Sequence, residues 1–80
     1  MYKGFGVSVT ITPEGSTKST TAPLVVVARD ERDAEAVAER AAGPNAMAET
    51  LRELTEEEAR EHGLDLQAHG TAKILPVLNL

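Results

Sequence analysis

Apolar residues alternate strictly with small or polar residues between Lys3 and Thr12, and this pattern constrains the fold more than any other in the chain. The apolar positions are Phe5, Val7, Val9 and Ile11. A period of two residues is typical of a strand with one buried face. On the other face, Gly4 and Gly6 indicate either a close approach of another segment or a β-bulge.

A turn and a second strand follow this segment. In Pro13-Glu14-Gly15, proline fixes φ and glycine allows a positive φ, so the chain is expected to reverse there. The spacing predicts a second strand from about Lys18 to Arg29, paired with the first as an antiparallel hairpin. Pro23 lies inside it and indicates an edge position or a bulge, because proline has no N–H to donate.

The next segment has the pattern of a helix. Asp30 is a favourable N-cap, and small apolar residues recur at helical spacing until Gly43-Pro44. The sequence therefore predicts a helix over Asp30–Ala42, packed on the face of the sheet that holds Phe5, Val7, Val9 and Ile11.

Two further helices and a third strand are expected in the second half. Asn45 can cap a helix to about Leu54, and Thr55 with Glu58 forms a capping box for a short helix that ends at Gly63. Thr71–Leu78 has the composition of a strand, and Leu64–Ala68 could add another short one. The expected fold is a single α+β domain spanning residues 1–80, with β-β-α-α-α-β order and the helices on one face of a small antiparallel sheet.

Charge is distributed unevenly along the chain. The net charge is −5, but the segment from Asp30 to Asp65 holds twelve acidic against four basic residues, and the remainder is mildly basic. Nucleic-acid binding needs clustered Lys and Arg and is often supported by aromatic stacking, and only 2% of the residues are aromatic. We therefore expect no direct nucleic-acid partner. Acidic helices can bind a basic protein surface, or they can serve solubility alone.

The sequence predicts an acidic partner-binding surface in the second half of the chain. Its residues are Glu49, Glu53, Glu56, Glu57, Glu58, Glu61 and Asp65. Catalysis is not expected, because a run of exposed carboxylates lacks the pocket that tunes an acid and a base. His62 and His69 lack the converging ligands of a metal site, and the chain has no cysteine, so we expect neither metal nor cofactor.

A homodimer is also expected. The strand residues Leu24–Val27 and Ile74–Leu78 are apolar on both faces, which indicates that both faces are covered. Helices on one face would leave the other for a second copy. The alternative is that the second and third helices wrap around the sheet edge and bury that face within one chain. The predicted dimer interface consists of Val25, Val27, Leu75 and Val77.

The whole layout, a short acidic α+β domain without cysteine or catalytic motif, resembles small phage or mobile-element proteins of the anti-CRISPR kind. The resemblance implies a stoichiometric inhibitor that covers a basic, nucleic-acid-binding surface of a CRISPR effector complex. The alternative function is a homodimeric structural or regulatory module without catalytic activity. No apolar run approaches the ~20 residues of a membrane span, so we expect a cytoplasmic protein with no membrane partner, in a host cell if it is a phage protein.

Overall fold

The computed structural model describes residues 2–15 and 17–74. These residues form four strands and two helices, which follow one another in the order β-β-α-β-α-β. The elements are β1 (Lys3–Ile11), β2 (Thr20–Ala28), α1 (Glu31–Ala42), β3 (Ala46–Glu53), α2 (Glu56–Glu61) and β4 (Ala72–Ile74). The strands make one antiparallel sheet with the spatial order β3-β1-β2-β4. The α+β class and the antiparallel sheet are thus confirmed.

The hairpin of β1 and β2 forms the centre of the sheet. Nine residue pairs join the two strands, from Lys3 opposite Ala28 to Ile11 opposite Thr20. Gly15 has φ of +79°, as the predicted turn requires. Pro23 lies opposite Ser8 in the ladder. The Pro23 nitrogen points toward the β4 side of the strand, as the Val27 nitrogen does. Since the described part of β4 pairs no further than Leu24, Pro23 costs no hydrogen bond of the sheet within the described residues.

The first core lies between the sheet and α1. It contains Phe5, Val7, Val9, Leu24, Val26, Ala28, Ala34, Val37 and Ala38, with Ile11 partly buried beside them. The Asp30 side chain accepts the Asp33 N–H at 2.8 Å, and Gly43 ends the helix with φ of +100°. The predicted helix and its packing on this face of β1 are confirmed.

The second core lies on the opposite face of the sheet, under α2. It contains Val25, Val27, Leu54, Ala59 and Leu64, with Tyr2 and Leu66 partly buried against it. The expectation that the helices share one face is therefore wrong. Gly4 lies directly beneath α2. A β carbon at this position would lie 3.2 Å from the Ala59 Cβ, a tight contact, so the absence of a side chain at Gly4 favours the close approach of α2 to β1.

Residues 46–53 form a strand, so the predicted second helix over 45–54 is wrong. Along β3 the side chains alternate, with Ala46, Ala48 and Thr50 partly buried and Met47 and Leu51 exposed. The small inward residues fit beneath α1, and pairing with β1 outweighs the helix propensity of alanine, glutamate and leucine. Asn45 has φ of +67°, which places it in the connection before β3 rather than at a helix N-cap.

The remaining predicted elements differ in length or kind. Residues 64–68 form turns rather than a strand, with the Ala68 N–H bonded to the Asp65 carbonyl at 3.0 Å. The predicted strand over Thr71–Leu78 begins as β4, and its last four residues lie outside the described part of the chain. Among the described residues, no helix has the length and apolar character needed to cross a membrane.

Candidate protein-binding surface

The helix α2 is six residues long and is fixed at both ends. At its start, the Thr55 hydroxyl accepts the Glu58 N–H at 3.1 Å, and the Glu58 carboxylate accepts the Thr55 N–H at 3.0 Å. This is the capping box that the sequence predicts. The neighbouring Leu54 and Ala59 are both buried in the second core, as expected of the residues that flank such a box.

The end of α2 is fixed by a Schellman motif. The Leu64 N–H donates to the Ala59 carbonyl and the Gly63 N–H to the Arg60 carbonyl, both at 2.9 Å, while Gly63 has φ of +73°. The Lys73 ammonium on β4 donates to the carbonyls of His62 and Gly63 at 3.2 Å, where the negative end of the helix favours a cation. A helix too short to persist alone is thereby held in one position.

Three acidic residues of α2 face solvent. Glu56, Glu57 and Glu61 are exposed, and within the described residues they make no ion pair or side-chain hydrogen bond. Glu57 and Glu61 are four residues apart and lie on one side of the helix. We call Glu56, Glu57 and Glu61 the α2 acidic surface.

Glu58 has an intramolecular role in the structure. Its two carboxylate oxygens accept from the Arg52 guanidinium at 2.9 and 2.5 Å in a bidentate pair. The Arg52 hydrogen bonds, followed by the Thr55 N–H, lower the pKa of Glu58 to about 2. The hydrogen bonds with Glu58 in turn raise the pKa of Arg52. Glu58 therefore joins β3 to α2, and its charge is already compensated.

The other predicted partner-binding acids divide into two groups. Glu53 lies 3.7 Å from the Lys3 ammonium and, with Glu56 and Leu66, lines a cleft of about 260 Å³. Asp65 and Glu56 line the adjoining cleft of about 220 Å³. Glu53, Glu56 and Asp65 therefore border one continuous region.

Glu49 stands apart from that region. It lies opposite Ser8 on the open part of the sheet, beside the exposed Met47. The structure thus brings together most of the predicted acids, but not Glu49.

The predicted dimer interface is not available as described. Val25 and Val27 are 0% exposed, because Leu54, Ala59 and Leu64 of the same chain cover them. For Val25 and Val27 the prediction is therefore wrong, because it placed all helices on the other face. Leu75 and Val77 lie outside the described residues.

The two histidines lie in different surroundings. His62 is the C-cap of α2, whereas His69 binds Asp33 with 2.7 Å between Nε2 and Oδ2 and contacts the Tyr2 ring at 4.9 Å between centroids. Asp33 and His69 are 36 residues apart, so no local pattern in the sequence could pair them. The part of the chain that the structure describes contains no group of three or more side chains placed to hold a metal ion.

Comparison of the chain with models of protein families, with curated proteins and with solved structures finds no match in any of the three.

Proposed function

We propose that this chain is a non-enzymatic protein-binding domain whose α2 acidic surface binds a basic surface on another protein. The observation that supports the proposal most strongly is the position of Glu56, Glu57 and Glu61. They are exposed, without a partner among the described residues, on a helix that is held at both ends. Because the backbone of α2 is already ordered, binding does not have to order it, and the exposed negative charges steer an oppositely charged partner during encounter.

The proposal extends to inhibition. The resemblance to anti-CRISPR proteins implies a partner that is the basic, nucleic-acid-binding surface of a CRISPR effector complex. A domain that occupies this surface prevents nucleic acid from binding and acts stoichiometrically, because nothing is consumed or modified. The uneven charge of the chain supports this proposal, with net −8 between Asp30 and Asp65.

Titration of purified effector complexes of different types with this chain, followed by a target-DNA gel shift, tests the proposal. We expect one type to lose DNA binding at about one equivalent of the chain, with the loss reversed by adding effector. Inhibition far below one equivalent would indicate catalysis. Full DNA binding by every type at excess chain would contradict the inhibitor proposal.

Salt dependence separates this function from a homodimeric structural module. The Debye length shrinks from about 10 Å at 0.1 M salt to about 3 Å at 1 M, so a complex held by the α2 acidic surface weakens as salt rises. A dimer formed by apolar side chains is instead insensitive to salt or strengthened by it.

A further inference from the structure

The outer edge of β3 is occupied by side chains of α1. In the order β3-β1-β2-β4, β3 pairs with β1 on one side, and its other side carries outward N–H groups. The Ala48 N–H donates to the Glu39 carboxylate and the Thr50 N–H to the Glu35 carboxylate, both at 3.1 Å. The Thr50 hydroxyl also donates to the Glu31 carbonyl at 3.1 Å.

The spacing of these contacts matches the repeats of the two elements. Glu35 and Glu39 are one turn apart on α1, a rise of about 6 Å at 1.5 Å per residue. Ala48 and Thr50 are two residues apart on β3, about 6.6 Å along a strand. Two successive glutamates can therefore reach two successive outward N–H groups when the helix lies along the edge.

An unoccupied edge at this position would be prone to strand addition. Outward N–H and C=O groups are a template for another strand, and exposed apolar side chains favour the pairing. β3 carries both features, since Met47 is 75% exposed and Leu51 is 42% exposed. The register shift between β1 and β3 at Gly6 and Val7 bends β3 and also hinders the regular pairing of another strand with its outer edge.

We propose that Glu35 and Glu39 protect the β3 edge, and that their carboxylate oxygens prevent β3 of a second copy of this chain from pairing with it. The protection depends on acceptor oxygens at the two N–H groups rather than on negative charge alone. It assigns a role to two α1 acids that is independent of the α2 acidic surface.

Two double variants with equal net charge test this proposal. In E35A/E39A the acceptors are lost, whereas in E35Q/E39Q each side chain keeps one acceptor oxygen. Both are compared with the unmodified chain by sedimentation velocity over a range of concentrations. Amide hydrogen exchange of Ala48 and Thr50 is measured at low and high concentration.

The proposal predicts that the sedimentation coefficient of E35A/E39A rises with concentration, while E35Q/E39Q behaves like the unmodified chain. In dilute E35A/E39A the Ala48 and Thr50 amides should exchange at least about tenfold faster, and they should regain protection when the protein is concentrated. If the alanine and glutamine variants associate equally, the loss of negative charge alone causes association, which would overturn the proposal. Unchanged association of E35A/E39A would also overturn the proposal.

Single variants keep the test decisive if the double alanine variant does not fold. E39A should accelerate exchange at Ala48 and leave Thr50 protected, and E35A should do the reverse. Equal acceleration at both amides in each single variant would mean that the edge loosens as a whole, which contradicts the proposed one-to-one protection.

Discussion

The carboxylate of Asp33 joins three parts of the chain. Its Oδ2 accepts the Arg29 N–H at 2.9 Å at the end of β2, and it lies 2.7 Å from His69 Nε2 in the segment after α2. These bonds, the one from the Arg29 backbone first, lower the pKa of Asp33 from 3.8 to about 2. A single side chain near the start of α1 therefore stabilises contacts that are distant in sequence.

This pKa shift predicts an acid-sensitive contribution to stability. Because the pKa of Asp33 is lower in the folded chain than in the unfolded chain, its contribution is complete above about pH 4 and is lost as the pH falls toward 2. D33N should lower the melting temperature at pH 7 and show a smaller further decrease between pH 4 and pH 2. As a control, E14Q, in the exposed β1–β2 turn, should show the same change of melting temperature with pH as the unmodified chain. If the melting temperature of D33N falls between pH 4 and pH 2 as much as that of the unmodified chain, Asp33 is not the source of the acid sensitivity.

Gly4 determines how closely α2 approaches the sheet. An added methyl group would lie 3.2 Å from the Ala59 Cβ and 3.5 Å from Leu54 and Leu64, so G4A should overpack the second core and destabilise the chain by about 1–3 kcal/mol. Chemical unfolding measures the effect. A59G alone should also destabilise the chain, because glycine weakens α2. The double variant G4A/A59G should then lose less than the sum of the two single losses, since the facing methyl group is removed, and a fully additive loss would show that the two positions do not interact.

At the scale of elements, α2 and the turn after it cover the second face of the sheet. Leu64 is buried there, whereas Leu51 on β3 is 42% exposed. L64A should therefore cost about 2–5 kcal/mol of unfolding free energy, while the same change at Leu51 should cost less than about 1 kcal/mol. Equal losses in chemical unfolding would show that the second core does not contribute as described.

The elements that could be predicted from sequence are those with local signals. β1 has strict alternation, α1 has a cap, an apolar stripe and a terminator, and α2 has a capping box followed by Gly63 and Leu64. Each signal depends on residues within a few positions of one another, so no knowledge of the rest of the fold is needed.

The segment that became β3 shows where this reasoning fails. Met47, Leu51 and Leu54 have helical spacing, but the strand is set by pairing with β1 and by the contacts of α1 along its edge. Both are long-range interactions that leave no local pattern. This error led to a second one. Because all three predicted helices were placed on one face of the sheet, no part of the chain was left to cover Val25 and Val27, and a dimer interface was predicted there.

At the scale of the whole molecule, one helix covers each face of the sheet. Successive side chains of β2 point to opposite faces of the sheet: Val26 lies in the first core under α1, and Val25 and Val27 lie in the second core under α2. This arrangement explains why β2 is apolar on both faces in a chain of 80 residues. The acids of the two helices also differ in their contacts: Glu35 and Glu39 of α1 contact the β3 edge, whereas the α2 acidic surface faces solvent.

The α2 acidic surface is the part of the account on which the proposed function depends, and two charge-reversal variants test it most directly. E57K/E61K reverses two exposed charges on one side of α2, and E14K/E31K makes the same change in net charge elsewhere on the surface. Circular dichroism establishes that both variants fold, and each is then titrated against the effector complex that the unmodified chain inhibits, by the same gel shift. We expect E57K/E61K to lose inhibition by at least about tenfold while E14K/E31K inhibits like the unmodified chain. Undiminished inhibition by folded E57K/E61K, or an equal loss in both variants, would show that the α2 acidic surface does not bind the effector complex.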